Sequence, residues 1–178
     1  MLSYHASLLR DIPPILLLSP PVTAALFTIV LTVLVWKRRR LRAGTAFFRL
    51  LLWISTAAAA EVLELFGPTL RWRLLFLALQ HAATGMVAAY WFIFVWEYAR
   101  GEGSLPKGAH RFLWGAALLN IALAFSNPWH NLMWRGVEWP PETIFAPLEV
   151  RPGLWMPVQQ ALVALAGLLG SALLLHRM

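Results

Sequence analysis

The chain has no cysteine, lysine only at Lys37 and Lys107, and just 13% charged residues in a length of 178. Without cysteine there is no disulfide framework, no thiolate metal site, no dithiol redox pair and no thioether attachment for haem. A soluble domain carries about 25% charged residues, so the low charge, together with 60% hydrophobic residues, marks an integral membrane protein. No lysine lies inside an apolar stretch, which removes a retinal Schiff base. Clustered Asp, Glu and His of the kind that metal-assisted hydrolysis requires are lacking, as is a serine in a nucleophile context. No paired broken helices and no internal repeat speak for a transporter core. No cofactor is expected.

What the sequence does contain is five strongly apolar stretches and one basic knot, Lys37-Arg38-Arg39-Arg40-Leu41-Arg42. About 20 apolar residues cross a bilayer as a helix, and a Lys/Arg cluster beside them stays in the cytoplasm. The fold class expected is therefore all-α, a polytopic bundle of five transmembrane helices in a single domain covering residues 1–178. The spans fall at about 15–36, 45–66, 71–98, 109–125 and 154–175. Pro13, Pro14, Pro20 and Pro21 crowd the first entry, so its continuous helix is expected to begin near Pro21. The third stretch is long enough to tilt or protrude.

Charge sorting orients the chain. Ten basic residues (Lys37, Arg38, Arg39, Arg40, Arg42, Arg49, Arg100, Lys107, Arg111, Arg177) fall on the inner side and five (Arg10, Arg71, Arg73, Arg135, Arg151) on the outer. This places the amino terminus outside and the carboxy terminus in the cytoplasm, in the inner (plasma) membrane. Trp36, Trp53, Trp72, Trp96 and Trp155 sit near span ends, as interfacial anchors do. The net charge of +7 is concentrated where anionic headgroups lie, so the partner implied is the lipid bilayer and not nucleic acid.

Polar residues inside spans are costly and draw attention. Glu61 and Glu64 share a helix face one turn from the outer end. They either line an outward pocket, paired with His81 or a cationic ligand, or satisfy neighbours at the interface. His81 lies about 15 Å along the third helix and serves as a proton or ligand switch, or else bonds a neighbouring helix through Asn120 or Gln80. His81, His130 and Glu64 have no short ligand spacing, so no metal is expected. Asn127, Pro128, Trp129, His130 and Trp134 open a long outer connection. They read as a helix stop with Trp anchors or as a lid over the bundle mouth. Gln159 and Gln160 enter the fifth helix as pocket donors or interhelical ties. Ala57–Ala60, Ala164, Gly167, Gly170 and Ser171 allow close helix approach, within the bundle or between copies.

Four local patterns occur in order between Ala43 and Trp139: Trp53 with Glu61-Val62-Leu63-Glu64-Leu65; Trp91-Phe92-Ile93-Phe94-Val95-Trp96-Glu97-Tyr98; Ala99-Arg100-Gly101; and Ser126-Asn127-Pro128-Trp129-His130 with Trp134. Together they resemble the amino-terminal seven-helix sensor region of bacterial membrane histidine kinases, a module also found ahead of other signalling output domains. The resemblance singles out Glu64, and Ser126 stands where the family usually has Thr, keeping the hydroxyl. It implies a signal-input module matching the first five helices, with the last two helices and the kinase, PAS or cyclase output lying outside this chain, so that no enzymatic activity is expected of it. The implied partners are a small hydrophobic or amphipathic ligand and either a second copy or a separate signalling output chain. The alternative reading is a small transporter or channel subunit.

Overall fold

The computed structural model describes residues 14–38, 40, 43–101, 103–139 and 148–176. Arg10, Arg39, Arg42 and Arg177, invoked in the charge sorting, lie outside the described residues, as do Leu41 of the basic knot and the middle of the long connection that Asn127 opens. Five long helices follow one another: α1 (Pro14–Lys37), α2 (Gly44–Phe66), α3 (Leu70–Arg100), α4 (Lys107–Phe125) and, after one helical turn α5 (Asn127–His130), α6 (Trp155–Leu175). Between α5 and α6 two strands, β1 (Trp134–Glu138) and β2 (Glu149–Pro152), form an antiparallel pair.

Each boundary has a local cause. Pro20 and Pro21 lie inside α1, against the expectation that the helix starts there. Each proline forfeits one amide donor, but a helix in an apolar setting has no competing water and is retained around it. The stretch apolar enough to cross a membrane begins at Ser19. Gly67 and Pro68 end α2, with Gly67 in extended geometry. Thr69 caps α3 by accepting the Trp72 amide at 3.4 Å. The 31 residues of α3 give a rod of about 46 Å at 1.5 Å per residue, longer than a hydrocarbon layer.

Among the described residues four helices (α1, α2, α3 and α6) are long and apolar enough to span a membrane. α4 is the exception. It begins Lys107-Gly108-Ala109-His110-Arg111 and carries Asn120, which leaves little uninterrupted apolar length in its 19 residues.

α3 is the axis of the bundle, with α2, α4 and α6 packed against it and α1 leaning on α2. Two apolar clusters are built on it. One joins Leu50 of α2, Met86, Tyr90 and Ile93 of α3, and Ala117 of α4. The other joins Leu77, Ala78 and Ala82 of α3 and Ala124 of α4 to Met133, Trp134 and Leu148 of the connection between α5 and α6. That connection, read from the sequence as a helix stop with Trp anchors or as a lid, thus contains a small hairpin seated on the bundle. Its register pairs Val137 with Val150 and Glu138 with Glu149, with an irregularity between Trp134 and Gly136.

Candidate functional site

The site grows from one carbonyl. The main-chain oxygen of His81, on α3, accepts Nδ2 of Asn120 from α4 and Nε2 of Gln159 from α6, both at 2.8 Å. A carbonyl only accepts, so both amide side chains are fixed with their nitrogens towards it. The Gln159 oxygen then faces the His81 ring, 3.1 Å from Nδ1. An amide oxygen is likewise only an acceptor, so Nδ1 carries a hydrogen. The Asn120 oxygen accepts the indole N–H of Trp155 at 3.1 Å, and the ring of Trp134 stacks on His81 with centroids 5.7 Å apart. Three helices and the hairpin therefore meet at His81.

Close approach makes this possible. A Cβ on Gly85 would stand 2.6 Å from Asn120 Nδ2, so only glycine leaves α4 room to bring the amide in. Between α3 and α6, a Cβ on Gly170 would collide with the Trp91 indole. That contact is the intrabundle use of the small residues of α6.

A second set ties the hairpin to the corner between α2 and α3. Glu64, 6% exposed, accepts the Leu148 amide on Oε1 at 3.2 Å. Arg73, 1% exposed, donates through Nε to the Gly67 carbonyl at 3.0 Å and through Nη2 to the Leu65 carbonyl at 3.1 Å. Its guanidinium also lies over the Trp139 ring, 4.6 Å from the centroid. Arg73 thus places a cation on the orphan carbonyls at the negative end of α2.

A third set folds the turn itself. Asn127 accepts the Met133 and Trp134 amides on Oδ1 at 2.8 and 3.2 Å, and its Nδ2 donates to the Trp134 carbonyl at 2.9 Å. His130 accepts the Leu132 amide on Nδ1 at 3.0 Å, which leaves Nε2 as its hydrogen-bearing nitrogen, 2.8 Å from Ser126 Oγ.

The sequence-derived candidates separate accordingly. His81, Trp134 and Gln159 come together. Glu64 is buried but bonds the Leu148 amide and not His81, whereas Glu61 is exposed. His130 serves the turn, and Trp129 is 87% exposed. Two participants, Trp155 and Arg73, take roles other than those the sequence suggests. Asn120, one of the two partners read for His81, meets its main-chain carbonyl and not its ring, whereas the sequence reads Trp155 as an interfacial anchor and Arg73 as an outer charge. An amide in mid-span was the available signal for Asn120. Among the described residues no three His, Asp or Glu side chains are placed to hold a metal ion.

Two openings flank the Gln159–His81 contact. One, of about 260 Å³, lies between α4 and α6 with α3 as its floor. The other, of about 390 Å³, is more polar and is bordered by Gln80, His81, Thr84 and Gln160.

Comparison with known families places the chain. It belongs to the family described as the N-terminal 7TM region of histidine kinase, whose model matches residues 20–178. The matched family is the membrane region of these kinases. No curated protein and no solved structure matches the chain.

Proposed function

We propose that the chain is the signal-input part of a histidine-kinase-type receptor. It crosses the plasma membrane several times, with its amino terminus outside and its carboxy terminus in the cytoplasm. The observation that carries this reading is the junction at His81. α4 and α6 are tied to one carbonyl of α3, and the outer hairpin rests on the same residue through Trp134. A small hydrophobic or amphipathic ligand that favours one arrangement of these ties shifts α6 against α3, and α6 leads to the carboxy-terminal side where an output region is read. The output comes from a kinase region connected to this one or from a second chain.

Two measurements test this. A histidine-kinase catalytic region fused after residue 178 is expected to autophosphorylate at a level that changes on Gln159→Leu or His81→Ala. Equal phosphorylation in all three, at equal membrane abundance, defeats the proposal. A reporter active only in the cytoplasm is expected to be active after residue 178 and silent within 138–149. The opposite pattern defeats the orientation.

A further inference from the structure

The opening between α4 and α6 has a shape that a sensor region does not need merely to fold. α4 and α6 each pack mainly on α3, and the hydrogen bond from Trp155 to Asn120 joins them at one end. The cleft left between them is open on its flank and runs from Gln159 and Asn120 down past Ala89 and Ala116 to Phe92 and Leu169. From Gly85 to Phe92 it follows α3 for about 10 Å. Its floor is made of small residues, its sides are aliphatic and aromatic, and none of its lining residues carries a charge. The polar end consists of two amides, each 4% exposed. Asn120 Nδ2 and Gln159 Nε2 each spend one hydrogen on the His81 carbonyl. A primary amide nitrogen has two, so one donor on each remains without a partner among the described residues.

The geometry points to this cleft as a binding site for an uncharged long-chain carbonyl compound, such as an ester, amide or ketone, that enters sideways from the bilayer. Its head oxygen accepts the two unspent N–H groups, and its hydrocarbon tail lies along the small-residue floor. The size fits a single chain. A volume of 260 Å³ holds about nine groups the size of a water molecule, whereas a helix, 10–12 Å across with its side chains, only rests on the rim. The missing charge selects the head. A carboxylate there loses its hydration with no cation to replace it, while a neutral carbonyl loses little and gains two donors. The assignment rests on the sensor reading for its consequence, since a tail wedged between α4 and α6 acts on the ties at His81.

The test uses the chain in an alkyl maltoside micelle, which contains no carbonyl, and a methyl decanoate probe bearing a diazirine in its chain. Irradiation is expected to label residues 112–120 and 162–169. Excess methyl decanoate is expected to reduce that labelling about fivefold, with decanoic acid and decane several times weaker as competitors, because the carboxylate brings an uncompensated charge and decane accepts neither N–H group. Ala116→Phe with Ala166→Phe, which fills the cleft without touching the amides, is expected to abolish labelling while melting stays within about 2 °C of the parent. Labelling no stronger than on residues 26–34 of α1, or equal competition by decane, overturns the assignment in favour of general hydrocarbon contact. A disulfide-linked dimer through Ala116→Cys in this cysteine-free chain overturns it in favour of a helix from a second copy. Binding is read directly. Specific labelling alongside an unresponsive kinase fusion keeps the site and ends the sensor reading, and a responsive fusion without labelling does the reverse.

Discussion

Gln159 grips His81 at two points, donating to its main-chain carbonyl at 2.8 Å and accepting at 3.1 Å from its ring. Interhelical hydrogen bonds in membranes average about 0.6 kcal/mol and reach about 1.7. Gln159→Leu, which loses both, is expected to destabilise the bundle by about 1–2 kcal/mol. His81→Ala loses the ring bond and the Trp134 stack but keeps the carbonyl. The double variant is expected to be less destabilised than the sum, with a coupling of about 0.5–1 kcal/mol in a thermal or denaturant series. Additivity would show that the ring contact contributes nothing.

His81 and His130 are expected to be opposite tautomers. His81 has its hydrogen on Nδ1 because Gln159 offers an oxygen there, and His130 has it on Nε2 because the Leu132 amide occupies Nδ1. Ring nitrogen-15 shifts in membrane-reconstituted protein distinguish the forms. Gln159→Leu is expected to release the His81 preference and leave that of His130 unchanged. Identical tautomers in the parent protein would contradict the bonding scheme.

Gly85→Ala places a methyl group 2.6 Å from Asn120 Nδ2 and 3.1 Å from its Cβ. Both helices are pinned by their other contacts, so the strain is expected to cost about 1–3 kcal/mol. Adding Asn120→Gly removes the obstruction and is expected to recover part of the loss, even though glycine alone is unfavourable in a helix. Thermal unfolding of the four proteins checks the cycle, and an unchanged Gly85→Ala variant would mean that α4 stands further off.

The fold was legible to the extent that it depends on apolar length. The limits of α2, α3 and α6 lie within two residues of those read from hydropathy and from the Gly67-Pro68 stop, because burial in lipid is a property of the segment itself. The hairpin was not legible. Trp134–Glu138 and Glu149–Pro152 are short, and the amides that settle their path are held by Glu64 and Asn127, partners distant or out of pattern in sequence. Site residues divided in the same way. His81 and Gln159 stood out as polar groups in apolar surroundings, and bonding between α3 and α4 through Asn120 was among the readings open. That Trp155 turns its N–H inward, and that Arg73 folds back over the end of α2, depends on packing that no periodicity reports.

Glu64 is expected to matter as an acceptor more than as a charge. Glu64→Gln retains an oxygen for the Leu148 amide and is expected to keep the start of β2 in place. Glu64→Ala leaves that buried amide unpaired, a cost of about 1–3 kcal/mol. Hydrogen exchange at Leu148 reads the difference directly, with rapid exchange expected in the alanine variant and near-parental exchange in the glutamine one. Equal acceleration in both would show that the contact needs the carboxylate.

Arg73 offers the sharpest separation of packing, charge and geometry in one position. Its stem is buried, two of its donors reach carbonyls two residues apart at the end of α2, and its planar head covers Trp139. Lysine keeps the charge but has no flat fork, so it cannot serve Gly67, Leu65 and the indole face together. Methionine keeps much of the stem and none of the donors. Charged hydrogen bonds contribute about 1.5–3 kcal/mol each, so Arg73→Lys is expected to lose about one such bond and Arg73→Met both. In the methionine variant the Leu65 and Gly67 carbonyls lose these donors, and the hairpin is expected to loosen with them, because Trp139 no longer has a cation to rest on. Unfolding midpoints in the order arginine, lysine, methionine, together with faster proteolysis between 139 and 148 in the methionine variant, are the expected result. Equal stability of arginine and lysine would reduce the role of Arg73 to its charge near the negative end of α2.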